Sequence, residues 1–234
     1  MQPELQTVQT GSPGAIQEIA QDSHKVLRNT YLLLAVTMIP TVIGAAVGVN
    51  TSFSFLRAYP ILGPLAMLAV MIGLLFGVTR FRNSGIGVML LLAFTFIAGW
   101  FLGPILQAAL GFRNGPQLIG MAAGGTGVVL FTMSTIATVT KKDFSFLGNF
   151  LFVGLILLVV ASIANLFFQV PAVSLAISAV GVLIFSMYLL YDVSRIVTGG
   201  ETNYIMATMS IYLDIYNLFT SLLHILMVLT GQRD

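Results

Sequence analysis

The sequence predicts an all-α integral membrane protein with seven transmembrane helices. Of its 234 residues, 57% are hydrophobic and only 8% are charged, whereas about a quarter of the residues in a soluble globular domain are charged. Uncharged runs long enough to cross a hydrocarbon core of about 30 Å fill most of the chain. They predict spans at residues 29–49, 58–79, 85–107, 117–139, 146–169, 172–194 and 204–229.

A transmembrane β-barrel is disfavoured by the same runs. Each run is continuously apolar, whereas barrel strands alternate apolar and polar residues, and each is about twice as long as a tilted strand needs to be. The first 23 residues are polar and contain Gly11, Pro13 and Gly14, which is typical of a flexible tail rather than a cleavable signal. We therefore predict a flexible cytoplasmic tail at residues 1–23 and a seven-helix membrane domain at residues 24–234.

The basic residues predict the orientation of the chain. Only Arg57 and Arg113 lie on one side of the predicted bundle. The side of the N-terminus carries Lys25, Arg28, Arg80, Arg82, Lys141, Lys142 and Arg195. Because basic residues are enriched in cytoplasmic loops, the N-terminus is expected to be cytoplasmic. The C-terminus then lies outside if the seventh span crosses the membrane fully.

Composition excludes several classes of function. The chain has no cysteine, so disulfides, thiolate metal sites and a cysteine nucleophile are absent. Its formal net charge is +2, and its basic residues are dispersed in pairs beside the spans, so no nucleic-acid partner is expected. We predict no resident cofactor. The first partner expected from the sequence is the lipid bilayer.

Four spans contain two glycines one helical turn apart. The pairs are Gly44 and Gly48, Gly73 and Gly77, Gly99 and Gly103, and Gly120 and Gly124. Small residues at this spacing let two helix backbones approach closely in lipid. We predict that these glycines mediate helix packing within the monomer.

Two aspartates, Asp192 and Asp214, lie inside the last two predicted spans, while the other six acidic residues fall in tails and loops. A carboxylate deep in a bilayer costs about 2.5 to 3.5 kcal/mol on insertion scales. Ionisable residues inside spans are therefore functional candidates by default. These two are the strongest candidates in the chain.

The seventh span carries a polar stripe. Its members recur every three or four residues and are Ser210, Asp214, Asn217, Ser221 and His224. Because this spacing gathers side chains on one helix face, the seventh helix is expected to face other helices or a water-filled cavity near the centre of the bundle. The alternative is that the serines, Asn217 and His224 only hold neighbouring helices together.

A second stripe in the sixth span leads to Asp192. It comprises Ser174, Ser178, Gly181, Phe185, Tyr188, Asp192 and Arg195. Asp192 lies within one turn of the predicted cytoplasmic end, so a plain interfacial ion pair with Arg195 at i+3 is the alternative to a functional role.

A short connection at residues 198–203 joins the two spans. Its glycines can end one helix and Thr202 or Asn203 can cap the next, so the two helices are expected to be antiparallel neighbours. With helix ends at Val197 and Tyr204, the depths of the two aspartates differ by about 7 Å. Tilt or uneven helix ends can close that gap.

If the two carboxyl groups meet in a site of low dielectric, they are expected to share a proton unless a cation separates them. Arg80, at the cytoplasmic end of the second span, is a candidate counter-charge, although it is equally well explained as a basic residue that only anchors the span at the cytoplasmic side.

Two carboxylates with Asn217, carbonyls and water can bind Ca²⁺ only loosely, because this ion takes six to eight oxygen ligands. Weak binding suits ion passage or sensing.

At this point the chain resembles a known family. The sequences YD at residues 191–192, LDIYNLF at 213–219 and KKDFSFL at 141–147 resemble the Bax inhibitor (TMBIM) family. HKVLRNTY at 24–31 and GGETNY at 199–204 further resemble its YccA-like proteobacterial inner-membrane branch. The likeness runs from about residue 24 to the end of the membrane region.

The resemblance implies a fold in which six helices surround the seventh, and a calcium leak gated by a pH-sensitive aspartate pair. Asp192 and Asp214 match that pair, and Arg80 matches a basic residue that the family places near it. Asn217, Ser210, Ser221, Tyr188 and Arg195 are expected to line or support the ion path. The branch is associated with the membrane protease FtsH as its substrate and modulator.

Three functions follow as hypotheses. The first is a pH-sensitive calcium-permeable channel or leak of the bacterial inner membrane, and the second is an FtsH modulator or substrate without channel activity. The third is an intramembrane aspartyl protease, since two aspartates sharing a proton can activate water. This third hypothesis is the weakest, because Asp214 is not preceded by the Gly-x-Gly of those proteases. We therefore do not expect an enzyme.

Overall fold

The computed structural model describes residues 13–231, without the side chains of residues 13–21 and of Arg57. Within this part of the chain all regular structure is helical. Seven helices are long and apolar enough to cross a membrane. The predicted fold class, all-α with seven transmembrane helices, is confirmed.

Within residues 13–231, nine α-helices make up the seven spans and one short connection. They are α1 Pro13–Val49, α2 Ser54–Ala58, α3 Leu62–Arg80, α4 Gly85–Phe101, α5 Gly103–Leu110, α6 Gly115–Thr140, α7 Gly148–Phe168, α8 Pro171–Val197 and α9 Tyr204–Thr230. The third span contains both α4 and α5, because the helix is interrupted at Leu102 before Pro104 at the start of α5. Proline fits the first turn of a helix, where no backbone donor is needed.

The first helix begins at Pro13, inside the segment for which the sequence predicts a flexible tail. The apolar part of α1 that is long enough to span a membrane begins at Asp22, close to the predicted start of the membrane domain. Residues 1–12 of the predicted tail lie outside the described residues.

Helix α9 occupies the centre of the bundle. It packs against α1, against both helices of the third span, against α6 and against α8. Its side chains Ile211, Leu218 and Leu223 are fully buried. Helix α3 packs mainly on α4, and α7 packs mainly on α8, so the second and fifth spans lie farthest from the centre.

The seventh span crosses the bundle from end to end. Near the start of α9, the Asn203 side chain donates a hydrogen bond of 3.0 Å to the carbonyl of Arg82, in the loop after the second span. Near the end of α9, the Asn114 side chain donates one of 2.9 Å to the carbonyl of Thr230. Asn114 lies in the loop after the third span, so the two ends of α9 lie at opposite ends of the bundle.

Three loops meet at the end of the bundle where α9 begins. Besides the contact of Asn203 with Arg82, the Ser194 hydroxyl of α8 donates to the carbonyl of Lys142 at 2.9 Å and accepts from the backbone N–H of Phe144 at 3.1 Å. Because Arg82, Lys141 and Lys142 lie in these loops, and Arg80 and Arg195 lie at or near the adjoining helix ends, we call this end of the bundle the basic end.

The glycine pairs of α1 and the third span mediate close helix packing, as predicted. A side chain at Gly44 would collide with the backbone of Phe96, and one at Gly99 would collide with the backbone of Thr41. Gly48 and Gly103 approach each other in the same way. The two backbones therefore touch along this crossing, which only glycine permits.

The prediction is wrong for the other two pairs. Among the described residues, no atom lies within 4 Å of the position that a side chain at Gly73, Gly120 or Gly124 would take, and Gly77 meets only the Leu90 side chain at 3.6 Å. The reason is the helix arrangement: no neighbouring helix of the described chain packs its backbone against these faces of α3 and α6.

We expect Gly44→Ala and Gly99→Ala to lower the free energy of unfolding by about 1–3 kcal/mol each, since an added methyl group overpacks the crossing. Gly73→Ala is the matched control and should change it by no more than about 0.5 kcal/mol. Denaturant titration of the purified protein in detergent measures both. Equal stability of all three variants would contradict the close backbone contact.

Candidate functional site

The connection between α8 and α9 fixes how the two aspartates face each other. Helix α8 ends at Val197 and is followed by Gly199, which has a left-handed backbone with a φ of 80°. The N–H of Gly200 donates to the carbonyl of Arg195 at 2.7 Å and the N–H of Gly199 donates to that of Ile196 at 3.2 Å. This is the Schellman arrangement, in which the left-handed position favours glycine.

Asn203 caps α9, as one of the two predicted caps. Its side-chain oxygen accepts hydrogen bonds from the N–H groups of Ile205 at 3.1 Å and Met206 at 3.0 Å. Its side-chain nitrogen also donates to the side chain of Asn83 at 2.7 Å. The hairpin is therefore anchored to the loop between α3 and α4.

The two predicted polar stripes face each other across α8 and α9. The Ser178 hydroxyl and Nδ1 of His224 form a hydrogen bond of 2.9 Å. A side chain added at Gly181 would lie 2.9 Å from Oγ of Ser221. Because antiparallel helices pair residues in reverse order, this register next pairs Phe185 with Asn217 and then brings Tyr188 and Asp214 together.

The side chains of Asp192 and Asp214 meet at the basic end of this contact. The two carboxyl groups are electrostatic neighbours across the α8–α9 contact. Asp214 is 5% exposed, and its Oδ2 has no hydrogen-bond partner within residues 13–231. Two carboxyl groups this close can form a hydrogen bond only if one of them carries a proton.

Arg195 does not form the predicted alternative ion pair with Asp192. Its guanidinium lies 3.8 Å from Glu201 and donates to the carbonyl of Gly200 at 3.3 Å. It also lies 5.7 Å from the centre of the Tyr191 ring. The reason is the turn after α8, which places the Glu201 carboxylate beside Arg195. Arg195 remains an electrostatic neighbour of Asp192.

Tyr188 lies beside both aspartates, as its position in the α8 stripe predicts. Its ring is 6.3 Å from that of Phe185 and packs edge-on against Tyr191, also at 6.3 Å. Of this row of aromatic rings on α8, Tyr188 is the member beside the aspartate pair.

Arg80 lies elsewhere. Its side chain is exposed, and its guanidinium is 6.0 Å from the ring of its neighbour Phe81. The charged neighbours of the aspartate pair in the described chain are Arg195 and Glu201. The structure therefore does not bring Arg80 to the pair, because α3 packs on α4 rather than on α8 or α9.

The other members of the α9 stripe have different surroundings. Asn217 donates to the carbonyl of Leu213 in its own helix at 2.8 Å. Ser221 and His224 face α8, as described above. Ser210 is half-buried and, among the described residues, makes no side-chain hydrogen bond to another helix. The stripe is continuous along the helix, but cross-helix contacts occur at Asp214, Ser221 and His224.

Tyr212, on the opposite side of α9, forms polar contacts that the sequence analysis does not predict. Its hydroxyl lies 2.9 Å from Oγ1 of Thr41 and donates to the carbonyl of Thr95 at 3.3 Å. Its ring, which is 1% exposed, packs edge-on against Phe94. A buried tyrosine needs a hydrogen-bond partner for its hydroxyl. A tyrosine and a threonine in two neighbouring spans are therefore the sequence pattern that could have indicated this contact.

Acidic and histidine side chains do not cluster in groups of three or more within residues 13–231. The aspartate pair therefore offers an ion two carboxyl groups, to which only neutral oxygens could be added. Such a set is small for Ca²⁺. It suits an ion that binds weakly and leaves again.

Comparison with known proteins identifies the family. A family model described as an inhibitor of apoptosis-promoting Bax1 matches residues 23–232. The chain belongs to the Bax inhibitor family. The match covers the whole membrane domain, so the resemblance drawn from short motifs is confirmed over its full length.

Several bacterial proteins are similar along nearly their whole length. A protein of Escherichia coli K12 named YccA, modulator of FtsH protease, is 44% identical over 204 residues, which are 87% of this chain and 90% of the relative. A membrane protein of Vibrio cholerae is 43% identical over 211 residues, 90% of this chain and 92% of its own. A Neisseria meningitidis protein is 41% identical over 209 residues, which are 88% of this chain and 92% of the relative.

We expect Asn203→Ala to lower the free energy of unfolding by about 1–2 kcal/mol, because it removes the cap of α9 and the contacts with the α3–α4 loop. Thr202→Ala, an exposed neighbour in the same turn, is the control and should be near neutral. Thermal unfolding in detergent measures both. A neutral Asn203→Ala would show that the hairpin does not depend on this side chain.

Proposed function

We propose that this protein is a pH-sensitive, calcium-permeable leak of the bacterial inner membrane, gated by Asp192 and Asp214. The observation that carries the proposal is the meeting of these two carboxyl groups between α8 and α9. No basic side chain of the described residues forms an ion pair with either of them.

The gate follows from the chemistry of paired carboxyl groups. When the pair holds one proton, a hydrogen bond links α8 to α9 and the ends of the two helices stay together. When both groups are ionised, they repel each other, and a divalent cation between them becomes favourable. Proton concentration and calcium thus act on the same contact.

A polar route toward the pair supports ion passage. A cavity of about 760 Å³ lies between α7, α8 and α9 at the end opposite the basic end. Its polar lining includes Asn165, Ser174, Ser178, Ser221 and His224. Ser221 is seven residues from Asp214, or about 10 Å along the helix axis. The cavity therefore brings water-accessible polar groups deep into the bundle.

The positive-inside rule places the basic end in the cytoplasm. An Escherichia coli relative is named an inner membrane protein, which supports the proposed membrane. In this orientation the polar cavity opens to the outside and the aspartate pair closes the route near the cytoplasm. Calcium would then enter down its gradient when the gate opens.

We expect Asp192→Asn and Asp214→Asn to abolish the pH dependence of Ca²⁺ flux across the physiological range, because a single carboxyl group cannot share a proton with its neighbour. Flux into proteoliposomes that contain a calcium indicator measures this.

Asp143→Asn is the matched control, since it removes an exposed carboxylate in the loop before α7. Hydrogen bonds from the hydroxyl and backbone N–H of Ser145 lower the pKa of Asp143, so this group stays ionised at the pH values compared. The control should keep the wild-type pH profile. Unchanged profiles in both transmembrane variants would rule out gating by the pair.

A second candidate function is modulation of the FtsH protease. The name of the Escherichia coli relative favours it, and it requires no ion path. The segment expected to be grasped by the protease is the N-terminal tail. Because the first helix begins at Pro13, residues 1–12 can be removed without shortening a described helix.

We expect deletion of residues 1–12 to abolish both the turnover of this protein by FtsH and its effect on the cleavage of other substrates. The measurement is degradation of a second membrane substrate by purified FtsH, with and without this protein. Asp214→Asn serves as the control, because modulation without a channel should not need the aspartate pair. Full modulation by the deletion variant would contradict engagement through the tail.

A further inference from the structure

A long groove runs between the first and fourth spans. Helices α1 and α6 both pack on α9 but do not pack extensively on each other. Between them lies a cavity of about 570 Å³ whose lining is almost wholly apolar and includes Met38, Val42, Ala123, Gly127 and Phe219. The volume is within the range of small-molecule sites.

Protein atoms leave this groove unfilled. Gly127 lines it, and a side chain there would meet no atom of the described residues within 4 Å. The wall formed by α6 is therefore open at this position. Since the groove lies at the depth of the hydrocarbon core, the molecule available to fill it is a lipid chain.

The groove continues toward the basic end and becomes polar there. A second cavity of about 330 Å³ shares Tyr31, Gly127 and Leu130 with the first and extends to Ser134 and Thr138. The hydroxyl oxygens of Tyr31 and Ser134 are buried and lie near each other, and neither meets the geometric criteria for a hydrogen bond with any described residue. Both can bind a polar group that enters the groove.

Cations lie beyond this polar section on both walls. Arg28 precedes Tyr31 by three residues, so it continues the lining face of α1. Lys141 is the residue directly after the end of α6, three residues beyond Thr138. Both are exposed. In total this end of the two helices carries Lys25, Arg28, Lys141 and Lys142 against Glu18, Asp22 and Asp143.

The length of the groove matches a lipid chain. From Tyr31 to Ala45, which also lines the first cavity, α1 rises about 21 Å. This exceeds half of a hydrocarbon core of about 30 Å. An acyl chain that enters from the leaflet at the basic end can therefore lie in the groove along its whole length.

We infer that this groove is a binding site for an anionic phospholipid, with one acyl chain between α1 and α6 and the headgroup at Tyr31, Ser134, Arg28 and Lys141. The apolar section fits the chain and the hydroxyls fit ester or phosphate oxygens. The cations select a negative headgroup, because basic clusters beside spans attract anionic lipids. The site lies on the opposite side of α9 from the aspartate pair and is independent of the proposed gate.

The test is native mass spectrometry of the full-length protein, purified from membranes that contain phosphatidylglycerol and phosphatidylethanolamine. We expect the wild type to retain a phospholipid enriched in phosphatidylglycerol. Gly127→Leu fills the groove without a clash and should reduce retention about tenfold. Gly73→Leu, at an equally open glycine of α3 that does not line the groove, should retain lipid like the wild type.

The headgroup contacts are tested by the double variant Arg28→Gln and Lys141→Gln. It should retain lipid with the phosphatidylglycerol fraction of the bulk membrane. Retention in Gly127→Leu equal to that of the wild type, or no retained lipid in the wild type, would overturn the site. A wild-type dimer that Gly127→Leu dissociates would also overturn it, because the occupant would then be a second copy of the chain. Unchanged enrichment in the double variant would overturn the headgroup contacts.

Discussion

The structure depends on one constraint: polar side chains inside a bilayer need partners within the protein, because lipid chains offer none. Helix α9 satisfies this constraint on two sides. On one side Asp214, Ser221 and His224 face α8, and on the other the Tyr212 hydroxyl contacts Thr41 and Thr95. A helix with polar groups on two sides cannot face lipid, and its central position follows from that.

Much of the fold could be predicted from residue pattern. Apolar runs located the seven spans, and the turn chemistry of Gly199 and Asn203 set the ends of α8 and α9. Together they predicted an antiparallel pair whose stripes face each other. Local rules suffice here, because the short connection leaves the two helices only one arrangement.

Long-range contacts could not be predicted in the same way. Arg80 and the aspartate pair lie at the same end of the bundle. The position of Arg80 along its span does not reveal that α3 packs on α4. Nothing in the sequence distinguishes Glu201 from the rest of its turn, although its carboxylate lies 3.8 Å from Arg195. The glycine pairs show the same limit: the motif is identical in α1 and α6, but only α1 has a backbone against it. Spacing within one helix does not identify the helix opposite.

The close crossing of α1 and the third span has a mechanical consequence. Where two backbones touch, neither helix can slide or rotate without steric collision, so α1, α4 and α5 form one rigid body. Helices α8 and α9 meet instead mainly through side chains, among them Ser178, Tyr188 and His224, which can change rotamer. Conformational freedom is thus concentrated on the half of the bundle that contains the two carboxyl groups, with the glycine crossing as the fixed frame against which that half moves.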